Sequence, residues 1–174
     1  MGGMKTATAE LDSVLPPALR VKKVLVPTDF SDPSKKAFKY ALSFARQFGS
    51  EIVLLHVLEP EHPAGEEPSA LKGPPCAQDQ LSVAERNLQT LATSSSPTGN
   101  LYVTSTIRTG GTVHEIVEVA KEFDVDLIIM ATHGLSDWRS FGLGSITERV
   151  TRMAPCPLLV VREKEHEFIE EAEK

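Results

Sequence analysis

Short apolar runs that alternate with stripes of helical period leave this chain few folds to choose from. Lys22 to Pro27 (K-K-V-L-V-P) and Ile52 to Val57 (I-V-L-L-H-V) read as strands, and the second is apolar on both faces, as a central strand must be. Val125 to Met130 reads as a further strand buried on both sides, and Leu158 to Val161, introduced by Pro155 and Pro157, as the last. Between Leu101 and Arg108 apolar and polar residues alternate, which predicts a strand with one polar face at a sheet edge.

Helical stripes fill the gaps. Ala37, Ala41, Ala45 and Phe48, with Phe38 and Leu42, share one face behind Ser31-Asp32-Pro33, an N-cap hydroxyl followed by a first-turn proline, and Gly49 stops that helix. Leu81, Ala84, Leu88 and Leu91 mark a second helix, Val113, Ile116, Val117 and Ala120 a third, and Ile146, Val150 and Met153 a fourth. Five strands separated by four helices predict an α/β fold: a single-domain five-stranded parallel sheet with helices on both faces.

A chain of 174 residues, 41% apolar but only 6% aromatic, can build one core filled mostly by aliphatic side chains. Residues 1–20 read as a flexible arm, 21–163 as the folded unit and 164–174 as an acidic tail. Residues 58–79 carry five prolines and read as a long loop excursion within the domain, because neither side alone holds enough core. The net charge of −6 speaks against nucleic-acid binding, and no run of 18 apolar residues predicts a membrane span, so a cytoplasmic location is expected. The opening M-G-G-M-K-T matches the short myristoylation pattern at Gly2 and Thr6, against which stands a plain tail. Cys76 and Cys156 form no CxxC pair and are read as reduced thiols.

Doubly wound sheets bind ligands beyond the carboxyl ends of their strands, where the strand order reverses. That places the chemistry at Pro27-Thr28-Asp29, at His56-Val57 and at Met130-Ala131-Thr132-His133-Gly134, with Gly142-Leu143-Gly144-Ser145 opening the last helix. Glycines ahead of a helix let a phosphate approach the unpaired first-turn amides. Ser145-Ile146-Thr147-Glu148 is also a capping box, which accounts for Ser145 without a ligand, and the two readings are compatible because capping uses the side chain while a phosphate takes the amides of Ser145 and Ile146. Asp29 is either a hydrogen-bond acceptor for a ligand or a loop acid capping the Ser31 region. His56 reads as a core histidine. His133 stays open, and Arg139, beside Trp138, either reaches a terminal phosphate or is solvated.

Several enzyme classes lack their motif. There is no G-x-x-x-x-G-K-[ST] loop and no G-x-S-x-G elbow, and Gly142-Leu143-Gly144 is followed by Thr147 where a dinucleotide fingerprint needs its third glycine. The five histidines show no metal-ligand spacing, so no metal-ligating residues are assigned.

In order and spacing, K-K-V-L-V-P-T-D-F-S, I-V-L-L-H-V, V-D-L-I-I-M-A-T-H-G and G-S-I-T-E-R-V-T-R-M-A-P-C-P-L-L-V-V resemble the universal stress protein family over residues 22–162. ATP-binding members carry G-x-x-G, nine residues and G-[S/T]; here Gly134, Leu135 to Leu143 and Gly144-Ser145 match, while Ala131 replaces the first glycine. The resemblance implies a Rossmann-like, adenine nucleotide α-hydrolase-like sheet of strand order 3-2-1-4-5 that binds ATP or AMP with a divalent ion such as Mg2+. It implies that Asp29 contacts ribose or adenine, that the Val57 backbone meets the adenine edge and that Met130 lines the base pocket. Gly134, Gly144, Ser145 and Ile146 would hold the phosphates, and Leu158 to Val161 would join a homodimer. The expected function is a nucleotide-binding regulatory protein with slow or no turnover. The alternatives are a dimeric interaction module that binds no nucleotide and a weak ATP phosphohydrolase using His133 or Asp29.

Overall fold

The computed structural model describes residues 18–60, 77–94, 101–134 and 144–164. The myristoylation pattern, Cys76, Trp138, Arg139 and nearly all of the expected arm and acidic tail lie outside the described residues, as does the middle of the 58–79 excursion. The elements run β1 (Lys23–Pro27), α1 (Asp32–Phe48), β2 (Glu51–Leu58), α2 (Ala77–Ser94), β3 (Val103–Thr109), α3 (Thr112–Glu122), β4 (Leu127–Ala131), α4 (Ser145–Met153) and β5 (Leu158–Val161). They form one parallel sheet in the order β3-β2-β1-β4-β5, so the chain reverses its direction of winding between β1 and β4. The expected alternation and strand order both hold.

The period-two geometry of a strand divides the apolar residues between the two faces. Val24, Val26, Ile52, Leu54, Ile129 and Ala131 pack with α1 and α2 through Ala37, Phe38, Ala41, Ala45 and Leu88. Their neighbours Leu25, Val53, Leu55, Ile128 and Met130 pack on the opposite face with α3 and α4 through Val113, Ile116, Ala120 and Val150. Runs that are apolar on both faces thus become the central strands. The polar alternation places β3 at an edge, where no residue of the strand is fully buried. Its faces are less clean than the sequence pattern implies, since Ser105 is exposed and Arg108 half-buried against Glu122.

Two boundaries differ instructively from the sequence reading. β4 begins at Leu127 instead of Val125, because Asp124 turns through a positive φ of 51° and the Asp126 carboxylate caps the start of β1, accepting from Lys22 N at 2.7 Å and Lys23 N at 2.9 Å. At the other end of the sheet, Leu58 stays in β2 by pairing with Thr109, and α2 already includes Ala77 to Asp79. The start of α1 is as expected: Ser31 is its N-cap and accepts from Ser34 N at 3.3 Å, while Gly49 ends it at φ 68°. Cys156 is half-buried, and burial pushes its thiol up from the ordinary range, which makes it a poor nucleophile. Among the described residues no helix is long and apolar enough to cross a membrane.

Candidate functional site

The winding reversal opens a crevice between the carboxyl ends of β1 and β4, where helices depart to opposite faces and leave the strand ends uncovered. A cleft of about 320 Å³ lies there, continuous with a smaller one of about 100 Å³ that shares Pro27, Asp29, His133, Gly134, Ile146 and Thr147. Of the residues singled out from sequence, Pro27, Thr28, Asp29, Met130, Ala131 and His133 line it, as do Val57, Gly134, Gly144, Ser145 and Ile146. Arg139 lies outside the described residues.

The β1 side is held by a compact turn. Thr28 N donates to Leu55 O at 2.8 Å, and the Thr28 hydroxyl accepts from Phe30 N at 3.1 Å. Phe30 itself sits at φ 65°, a left-handed conformation that costs a non-glycine residue roughly 1 kcal/mol. The turn aims the Asp29 carboxylate back over α1, where Oδ1 accepts from Ser31 N at 3.1 Å and Ser31 Oγ at 2.5 Å. Asp29 therefore steadies the Ser31 region, as one of its two readings expected, and it also lines the cleft. A Cβ on Gly134 would overlap Asp29 Oδ2, so only glycine lets the carboxylate and the strand end approach so closely. His56 donates from Nδ1 to Thr28 O at 2.8 Å and lies against the Phe30 ring at 4.5 Å between centroids, which makes it a structural histidine with a satisfied ring nitrogen.

β2 overruns β1. The last β1–β2 partners are Pro27 and Leu55, whereas β2 continues beside β3 through Leu58. Val57 has the parity of Leu55, whose carbonyl accepts from the β1 side, so the Val57 main chain is directed to the side where β1 has ended.

The β4 side departs from the sequence reading at one point. Gly144 N donates to Thr132 O at 2.9 Å, and the extended Gly144 (φ −60°, ψ 155°) becomes the N-cap of α4. Ser145 is thereby the first helical residue, exposed and without a capping bond. The expected capping box does not form. With the frame moved by one residue, Glu148 lies beyond the position a box requires and pairs with Arg152 at 2.7 Å. Because a glycine cap offers no side-chain acceptor, the N–H groups of Ser145, Ile146 and Thr147 have none among the described residues. A Cβ on Gly144 would stand 2.7 Å from Thr132 O, so this glycine is required by close backbone approach.

Sequence reasoning missed Thr147 and Thr112. Buried Thr147 donates from Oγ1 to Ala131 O at 3.0 Å and Thr132 O at 3.1 Å, tying α4 to the end of β4; only its place in a presumed capping box had marked that stretch. Thr112 lines the cleft from the start of α3, where no motif flagged it. Ala131, the departure from the glycine pattern, ends β4 opposite Val161 with a buried methyl and no positive φ, so alanine is accommodated there without strain. His133 Nδ1 is buried beside Gly144 and has no hydrogen-bond partner among the described residues.

What this arrangement can do chemically is hold an anion at α4 and an elongated polar ligand between β4 and β2. A model of the Universal stress protein family matches residues 20–162. The chain belongs to the universal stress protein family. Universal stress protein MJ0577 of Methanocaldococcus jannaschii is 32% identical over 155 residues, covering 82% of this chain and 96% of its own. The solved structure of MJ0577 superposes with a TM-score of 0.63 over 85% of this chain and 100% of that one. A universal stress protein solved in complex with cAMP shares the fold at a TM-score of 0.63 and 21% identity, covering 84% of this chain and 100% of its own.

Proposed function

We propose that this universal stress protein binds an adenine nucleotide, ATP or AMP, in the β1/β4 cleft and acts as a regulatory protein with slow or no turnover. The observation that carries the reading is the first turn of α4, which lines the cleft behind a glycine cap and has no side-chain cap among the described residues. Amides at a helix N-terminus, reinforced by the helix dipole, form an anion site, and among the described residues no side chain competes for them. Gly134, Gly144, Ser145 and Ile146 then take the phosphates, with His133 beside them. Asp29 accepts from ribose hydroxyls or the base, Met130 and Pro27 line the base pocket with Thr28 and Ala131 behind them, and the Val57 main chain meets the adenine edge. The universal stress protein solved with cAMP supports the assignment by analogy of fold.

Mg2+, in this reading, arrives with the phosphates and is coordinated by their oxygens. Slow turnover follows from the lack of an oriented base: no described residue hydrogen-bonds His133 Nδ1, and Asp29 Oδ1 is engaged by Ser31. The same reading places the protein in the cytoplasm as a homodimer joined through β5, whose apolar edge residues Leu158 to Val161 would otherwise be an aggregation hazard.

Acid extraction of the purified protein followed by chromatography, together with calorimetric titration of ATP, tests the assignment. Bound or titratable adenine nucleotide is the expected result, with hydrolysis far below the enzyme median of about 10 s⁻¹. Protein that neither carries nor binds ATP or AMP would leave the interaction-module reading in its place.

A further inference from the structure

The N-termini of α3 and α4 both reach this cleft, and they are treated differently. At α3 a carboxylate already stands where an anion would: Glu59 Oε1 accepts from Thr112 N at 3.4 Å and, in a shorter contact, from the Thr112 hydroxyl. Oε2 takes no hydrogen bond among the described residues. At α4 the corresponding amides have no side-chain acceptor among the described residues. A negatively charged ligand therefore meets a donor-rich end at α4 and a negative end at Glu59, and its phosphates can settle only at the first.

The spacing sets what reaches the other end. β2 and β4 flank β1, so their carboxyl ends stand two strand spacings apart, about 10 Å. A nucleotide anchored by phosphate at α4 thus brings its base to the overrun of β2, where Val57 and Glu59 both line the larger cavity. Glu59 is an acceptor held by Thr112 at the end of that cavity. An exocyclic amine donates to such a group. A 6-oxopurine in the same pose sets its carbonyl against the carboxylate, and its N1–H can reach that carboxylate only if the base shifts along the cleft. We infer that Glu59 is the side chain that, beside the Val57 main chain, favours a 6-aminopurine over a 6-oxopurine in this cleft, an inference that rests on the cleft being a nucleotide site.

The test compares ATP with inosine triphosphate, which differs at C6 and in the N1 proton that the carbonyl brings, by calorimetric titration of the parent, Glu59→Gln and Glu59→Ala proteins, each with a thermal melt. The parent should prefer ATP by about tenfold. Glu59→Gln, whose amide can donate to the carbonyl, should narrow the preference to within about threefold, mainly by tighter inosine triphosphate. Glu59→Ala should weaken ATP and leave inosine triphosphate unchanged or tighter. Glu59→Gln keeps an acceptor for Thr112 and should melt close to the parent, whereas Glu59→Ala removes that acceptor from the start of α3 and should melt a few degrees lower. ATP binding in the parent with the same preference in Glu59→Gln overturns the inference alone. A parent that binds no ATP removes the inference and the nucleotide reading together.

Discussion

Placing a charge at Ser145 separates phosphate binding from helix capping, because the two roles respond with opposite sign. Ser145 occupies the first turn of α4, exposed and making no capping bond. An aspartate there faces the positive end of the helix dipole and should leave the melting temperature unchanged or raise it slightly, by about 0.3–1 kcal/mol of stability. With a nucleotide bound through the adjoining amides, the same carboxylate would stand near a phosphate. At a separation of about 4 Å, two unit charges repel by about 1 kcal/mol in bulk water and about 4 kcal/mol in a partly buried setting. Affinity for ATP should therefore fall at least about fivefold and as much as several hundredfold, and high salt should recover part of the loss. Calorimetric titration at low and high ionic strength, beside a melt, measures both quantities. Ser145→Ala completes the comparison: a capping serine would cost about 1 kcal/mol on removal, whereas this one should cost less than about 0.5 kcal/mol. A Ser145→Asp protein that melts normally and binds ATP as tightly as the parent would refute the placement of the phosphates.

The glycines should divide in the same two assays. Gly144→Ala forces a Cβ against Thr132 O and should lose about 1–3 kcal/mol of stability, while Gly134→Ala meets only the tip of Asp29 and should weaken ATP binding with a smaller change in the melt. Thr147→Val keeps the shape but removes the donor to Ala131 O and Thr132 O, so it should cost about 1–3 kcal/mol and lower the melting temperature by several degrees. Ala131→Gly, which restores the family pattern, should destabilise by about 1 kcal/mol without improving ATP affinity, because the position is a buried strand residue with no positive φ; a tighter complex would contradict that account.

Much of the fold was legible because the sheet is central and wet on neither face. Val24 to Val26, Ile52 to Leu55 and Ile128 to Met130 must satisfy two helical layers at once, and a run apolar on both faces is what that requires. Helix starts were legible where a side chain performs the capping, as Ser31 does. What escaped were the places where a long-range backbone bond decides. The start of β4 is fixed by Asp126 reaching Lys22 and Lys23 more than a hundred residues away, which no local pattern encodes.

The start of α4 shows the same limit at the point where it bears on function. S-x-x-E is a sound local signal, and in isolation Ser145 is the better cap. The fold overrules it because Gly144 alone can approach the end of β4, where Thr132 O takes its N–H and Thr147 secures the turn from within. Moving the cap by one residue replaces a side-chain-capped helix start with one that has no side-chain cap among the described residues, at the rim of the cleft. At the facing helix, α3, a glycine also caps without a side chain, but there Glu59 supplies the missing anion. The pair of helices thus contains its own comparison: one N-terminus is completed by Glu59, and the other has no side-chain partner among the described residues, which is why the proposed phosphate site is placed there.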